Sequence, residues 1–257
     1  HHCRLCRQYR YVRSGIFPVA QDATTGHNQH RPMIFFPSLT PETAPLFVIL
    51  AKGEFPRKIL PLAILRRASE HPEGTIVCCD GAIQNLLDYG AEPDAVVGDL
   101  DSFTASRHIL PAEKLHRIDE QDTNDLTKTV TFSAETYSPR EVCLLGTSGR
   151  REDHFVGNLA HLPGYTRFFE KIVMPTDYGC FLAFNGEARI EVERGRQISI
   201  FSFSGSAVTA EGLKWPLRNT TLPELWCGTL NEAVSDTIYL SSAAPLVVFV
   251  ADEVKNR

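Results

Sequence analysis

Between residues 46 and 162 short apolar runs alternate with stretches of helical period, and past residue 168 the helical period stops. This switch limits the chain to few folds. LFVILA (46–51), TIVCC (75–79), AVV (95–97), KLHRI (114–118) and EVCLL (141–145) have the length and apolar character of strands buried on both faces. Between them LAILRRASEH (62–71), GAIQNLLDYG (81–90), NDLTKTVTFSAET (124–136) and DHFVGNLAHL (153–162) carry apolar residues at helical spacing. Strand, helix, strand in repetition predicts an α/β fold with an open parallel sheet and flanking helices. Further on, IVMPTD, CFLAF, ARIEVE, QISIFSF, SAVTAE, DTIYL and LVVFVAD are divided by turn signals at Asn185-Gly186, Gly195, Gly205, Gly212 and Pro245. That pattern predicts an all-β antiparallel sandwich domain. The expected division is an N-terminal extension over 1–32, an α/β domain over 33–170 and a β-sandwich domain over 171–257.

With 257 residues, 43% of them hydrophobic, the chain can bury a full core. Its 26 basic and 31 acidic residues leave a net charge of -5, without the basic, aromatic-studded stripe that advertises nucleic acid. Seven cysteines, odd in number and scattered, argue against a disulfide framework and for a reducing compartment; the expected location is cytoplasmic. No apolar run approaches the roughly 20 residues of a membrane span. Residues 1–32 differ from the rest, with five arginines, no lysine and a single acid, Asp22. There Cys3-x-x-Cys6 with His27 and His30 makes at most half of a zinc pattern, and the expectation is a poorly ordered tail.

In an open parallel sheet, ligands sit beyond the carboxyl ends of the strands. The chain places acids or glycines after four of its strands: Asp80-Gly81, Asp99 and Asp101 in GDLDS, Asp122 and Asp125 in DTNDL, and GTSGRREDH over 146–154. If the strand persists through Asp101, Asp99 and Asp101 at i and i+2 face one spot, and at about 4 Å they repel by roughly 4 kcal/mol. Such a pair calls for a cation or a shared proton. Each motif also has an ordinary reading: Asp80 or Asp122 as an N-cap, Asp125 in a first helical turn, GTSGR as a plain loop. Taken together, acids able to hold a hard cation and a glycine and arginine loop able to hold phosphate describe a Mg-nucleotide or Mg-phosphoester site.

The series DGA (80–82), GDLDS (98–102), DTNDLTK (122–128), GTSGRREDH (146–154), EGLKWPL (211–217) and NEA (231–233) resembles the thiamin pyrophosphokinase family, over about residues 46–250. The resemblance implies transfer of the terminal two phosphates of ATP, as a unit, to the hydroxyl of thiamin, giving thiamin diphosphate and AMP. It implies Mg²⁺ as cofactor, a nucleotide-binding α/β domain, a thiamin-binding β-sandwich, and a homodimer whose active site lies between subunits. By the same resemblance Asp80, Asp99, Asp101, Asp122 and Asp125 are metal ligands, with Asp99, Asp101 and Asp125 catalytic and Asp101 placed ahead of Asp125 as the base. Asp80, Gly81, Gly146, Thr147, Ser148, Gly149, Arg151, Asp153 and His154 fall on the nucleotide side. Trp226, Thr229 and Asn231 fall on the thiamin side, where a Trp226 or Trp215 face suits the thiazolium cation.

The chain departs from the family pattern at Asn124 (usually threonine), Arg150 (usually a second glycine) and Leu230 (often serine). Leu230 removes a hydroxyl that Thr229 can replace. Two other readings fit parts of the chain. An apolar run ending in DxD is also the nucleophile signature of haloacid dehalogenase-type phosphatases, but the paired acids those enzymes carry after a later strand are absent here and the β-sandwich is foreign to them. The other is a non-catalytic nucleotide sensor.

Overall fold

The computed structural model describes residues 32–101 and 110–254. The N-terminal expectations, Cys3, Cys6, His27 and His30 among them, lie outside the described residues. Five strands follow one another in the first part: β1 (Ile34–Phe36), β2 (Phe47–Leu50), β3 (Thr75–Cys79), β4 (Ala95–Gly98) and β5 (Leu115–Arg117). Helix α1 (Ile59–Glu70) links β2 to β3, and α2 (Ile83–Tyr89) links β3 to β4. Helices α3 (Asp125–Tyr137) and α4 (Glu152–Tyr165) flank β6 (Glu141–Leu145). The rest is strand: β7 (Lys171–Thr176), β8 (Gly179–Phe184), β9 (Glu187–Glu191), β10 (Arg196–Phe201), β11 (Ala207–Glu211), β12 (Leu217–Thr221), β13 (Asn231–Glu232), β14 (Thr237–Ser242) and β15 (Leu246–Val254).

The fold class read from the sequence is found, and one sheet runs through both halves. Ten strands form one sheet in the order β13-β10-β15-β8-β7-β6-β2-β3-β4-β5. From β7 to β5 neighbours run parallel; from β7 outward they run antiparallel. Val173 of β7 pairs with Cys143 of β6 on one side and with Leu182 of β8 on the other. The loss of helical period near residue 170 therefore marks a change of strand direction within one sheet. A second, five-stranded sheet runs β1-β9-β14-β11-β12, so residues 34–36, ahead of the α/β motifs in sequence, pair with the β-rich part. The short strands β1, β12 and β13 were not visible in the apolar pattern, because three residues, a mostly exposed edge and two residues carry too little of it.

Side-chain alternation sorts the core into three clusters. Val142, Leu144, Ile172 and Met174 face α3 and α4, packing on Leu126, Val130, Leu162 and Tyr165. On the opposite face Cys143 and Leu145 meet Ile64, Leu65 and Leu86 of α1 and α2. Val173 and Leu182 lie on that same face further along, where the five-stranded sheet replaces the helices and packs Ile190, Val208 and Leu240 against them. Each fully buried Val, Leu or Ile contributes about 1.5–3 kcal/mol, enough for these faces to dictate the layers.

Candidate active site

Strands β2 to β5 step outward in one direction, and the chain then returns to lay β6 on the other side of β2. The carboxyl ends of β2 and β6 therefore bound a topological switch point, where such sheets open a crevice. Two backbone bonds tie its walls together: Gly53 N–H donates to the Gly146 carbonyl at 2.6 Å, and Glu54 N–H to the Ser148 carbonyl at 2.8 Å. Gly149, at φ +89°, has no room for a Cβ, which would lie 2.6 Å from the Glu54 side chain. A cavity of about 490 Å³ opens beside this loop, lined by Glu54, Phe55, Ser148, Arg150, Arg151 and Phe155 among others. Thr147 lies behind this lining, 3% exposed, and its hydroxyl makes no hydrogen bond among the described residues.

On the other side of β2, Asp80 opens the short 3₁₀ turn after β3 and is 3% exposed. Gly98 at the end of β4 makes room for it, since a Cβ there would lie 2.6 Å from the Asp80 Cβ. The strand does not persist through Asp101, as the sequence argument required. It ends at Gly98, Leu100 turns left-handed (φ 63°), and the Asp101 N–H donates to Asp99 Oδ1 at 3.2 Å. Asp99 and Asp101 thus share a turn, and Asp80 is among the groups that act on the Asp99 carboxyl. The Asp101 N–H first, then the Asp80 hydrogen bond and the Lys128 and Lys52 ammonium groups, hold Asp99 below the usual carboxylate range.

Lys128 was not singled out from the sequence, although it lies three residues after Asp125 on α3. It is only 5% exposed, and its ammonium stands 3.8 Å from Asp125 Oδ1. Asn124 is the N-cap of α3, accepting from the Thr127 N–H at 2.8 Å, so the departure from threonine keeps the cap; Asp122 is not the cap. Asn124 also donates to Asn158 Oδ1 at 3.3 Å, and Asn158 to the Thr147 carbonyl at 2.9 Å, which couples the acid side to the glycine loop. Asp122 lies exposed on the preceding loop, its N–H bound by Glu120 at 2.7 Å.

Among the described residues no three Asp, Glu, His or Cys side chains converge as a metal cluster. The five acids expected as ligands are spread over three loops, with Lys128 holding part of their charge. Asp80, Asp99 and Asp101 do share one corner of the rim. Mg²⁺ takes one or two carboxylates and fills its remaining positions with water and substrate phosphate, so this donor set fits it.

The loop residues assigned to the nucleotide divide as well. Arg151 is turned onto Asp153 by two bonds, Nε to Oδ1 at 3.0 Å and Nη2 to Oδ2 at 2.5 Å, and this contact, with the His154 N–H, holds Asp153 below its usual range. His154 is exposed beside it. Gly81 lies under the Lys52 side chain, whose Cδ would be 2.1 Å from an added Cβ. Lys52 was missed although it directly follows the run LFVILA, where the strand-end rule points.

The residues expected to meet thiamin are elsewhere. Asn231 is 7% exposed, and its amide is taken up by the chain itself. It donates to the Trp215 carbonyl at 2.7 Å and accepts from the N–H groups of Trp215 and Glu232 at 3.2 and 2.9 Å. Thr229 donates to the Trp226 carbonyl at 2.7 Å. Trp226 is 72% exposed, beside the exposed Leu230. These residues adjoin β13, six strand positions from β2 along the sheet, or roughly 30 Å at about 4.8 Å per strand.

Residues 70–174 match the family model of the thiamin pyrophosphokinase catalytic domain, and residues 179–249 that of the thiamin pyrophosphokinase substrate-binding domain. A thiamine pyrophosphokinase of Bacillus subtilis (strain 168) is 30% identical over 182 residues, covering 66% of this chain and 84% of that protein. The solved structure of a Bacillus subtilis thiamine pyrophosphokinase is similar with a TM-score of 0.63 at 24% identity, over 81% of this chain and 100% of that one. That of a thiamin pyrophosphokinase from Candida albicans is similar with a TM-score of 0.66 at 15% identity, over 87% and 94%. None of these matches supports the phosphatase or the sensor. The two models follow one another along the chain, catalytic domain first and substrate-binding domain second, and with the Bacillus subtilis relative they show that the chain belongs to the thiamin pyrophosphokinase family.

Proposed function

We propose that this chain catalyses Mg²⁺-dependent transfer of the pyrophosphoryl group of ATP to thiamin. The thiamin hydroxyl oxygen forms a bond to the β-phosphorus, the bond between that phosphorus and the α,β-bridging oxygen breaks, and AMP leaves. The hydroxyl proton passes to an aspartate, for which Asp101 is our choice. Asp99, held below the usual carboxylate range, is a weak base and suits the metal better. When bound, Mg²⁺ neutralises charge on the transferring group. The chain's own part is positioning and charge: Asp80, Asp99 and Asp101 on one side, the 146–150 loop on the other, and Lys128 buried beneath the acids.

The observation that carries this reading is a glycine loop bonded across the β2–β6 switch point of a family member, with Asp80 and Asp99 following the next two strands of the same parallel sheet. The separation of Trp226 and Thr229 from that rim supports a second proposal: a homodimer in which a second copy brings its β13 edge to each site. The buried free thiols of Cys78, Cys79, Cys143 and Cys180 fit a reducing cytoplasm, and among the described residues no helix is long and apolar enough to cross a membrane. The test is the product formed from ATP, Mg²⁺ and thiamin. AMP together with thiamin diphosphate is expected; release of inorganic phosphate alone would return the phosphatase reading.

A further inference from the structure

Cations around the rim are not equivalent. Arg57 pairs with Glu54 at 2.8 Å, Arg117 with Asp119 at 2.7 Å, Arg151 with Asp153 at 2.5 Å, and buried Lys128 faces Asp125 at 3.8 Å. Among the described residues neither Lys52 nor Arg150 forms an ion pair or a side-chain hydrogen bond, although both flank the crevice. Lys52 follows β2, its stem laid against Gly81 between the crevice and Asp80. Arg150 follows the glycine loop after β6 and lines the cavity. The backbone bonds from Gly53 to Gly146 and from Glu54 to Ser148 fix the spacing of the two segments that bear them.

We infer that Lys52 and Arg150, one from each wall of the switch-point crevice, are the side chains that grip the polyphosphate of the nucleotide, and that Arg151 serves instead as a positioning residue for the start of α4. This deepens the proposed function and rests on it. A polyphosphate carries several negative charges at neutral pH. Lys52, which acts on Asp99 only electrostatically, and Arg150 meet it without breaking an ion pair or a side-chain hydrogen bond, whereas Arg151 must give up two hydrogen bonds to Asp153. Arg150 stands where the family usually has glycine, so the assignment concerns this chain in particular.

The test measures binding without turnover: calorimetric titration of ATP with Mg²⁺, and separately of inorganic tripolyphosphate, into the full chain in the absence of thiamin. Lys52→Met and Arg150→Gly should each raise both Kd values about 10-fold, the worth of one charge-assisted hydrogen bond. Lys52→Arg should keep most of the affinity, and Arg151→Met should change it less than about 3-fold. All three positions are exposed, and thermal melts check that each of the four variants is folded. Unchanged Kd values in Lys52→Met and Arg150→Gly, or an equal loss in Arg151→Met, overturn the assignment while ATP binding by the unaltered chain still stands. Failure of the unaltered chain to bind ATP overturns the functional reading and this assignment with it.

Discussion

The parallel and antiparallel parts of the ten-stranded sheet use their polar residues differently. In the parallel part all carboxyl ends emerge on one edge, so Lys52, Asp80, Asp99 and the 146–150 loop converge although about 100 residues separate the first from the last. In the antiparallel part successive strands end on opposite edges, and each polar residue serves its own neighbourhood. Asn231 clips Trp215 to β13, and Thr229 bonds the Trp226 carbonyl three residues back. Parallel topology gathers chemistry from distant loops; antiparallel topology spreads it, and a ligand site there needs either a hairpin of its own or a second molecule. Burial follows the same division: Asp80 is buried on the rim and Lys128 is buried facing Asp125, whereas Trp226 and Leu230 stand exposed with nothing over them within the described chain.

This contrast breaks most easily at Asp99. Asp99→Asn removes a charge from the rim and no core contact, so turnover should fall by about 100-fold or more with the melting temperature nearly unchanged. Steady-state assay of AMP beside a thermal melt checks both halves, and full activity would remove the rim from the chemistry. The next effect concerns the exposed edge. If a second copy supplies Trp226, refolding Asp99→Asn and Trp226→Ala chains together should recover about a quarter of wild-type activity. Half of the dimers in an equal mixture are then mixed, each with one intact site. A mixture no better than its components, with mixed dimers shown to form, would mean that each chain builds its own site.

Asn231→Ala sharpens the same comparison from the architectural side. It strips a buried clip of three hydrogen bonds and should destabilise the chain by about 2 kcal/mol in urea unfolding, while the Kd for ATP stays as it was. A change in ATP affinity with stability intact would bring Asn231 into the nucleotide site. The smallest expected effect is at Asp153. Its carboxyl is held below the ordinary value of 3.8 by Arg151, so the pairing contributes in full above that pH and is lost as pH falls through the lowered value. Melts of wild type and Asp153→Asn should differ slightly at neutral pH and converge below about pH 3.8, because the pair is exposed and screened. A gap that widens in acid would contradict this sign.

The alternation of short apolar runs with helical stretches determined, from sequence alone, that strands end in acids or glycines on one side of a parallel sheet. Apolar periodicity is a local property, and Asp80, Asp99 and the loop at 146–149 were legible because each directly follows such a run. Lys52 and Lys128 obeyed the same rules of position but were hidden by their charge, which reads as solvated surface until the structure shows Lys128 buried and the Lys52 stem laid against Gly81. Only tertiary structure decided that Asp99 and Asp101 share a turn rather than one face of a strand, and that Asp80 is buried against Gly98, since a left-handed Leu100 and the space left by Gly98 depend on where β4 stops pairing with β5. It also decided that Arg151 is committed to Asp153 and Arg150 is not, and that residues on either side of position 170 share one sheet. Hydrogen bonds between strands and contacts between loops join residues far apart in the chain, and no local pattern of residue types records which partner each will find.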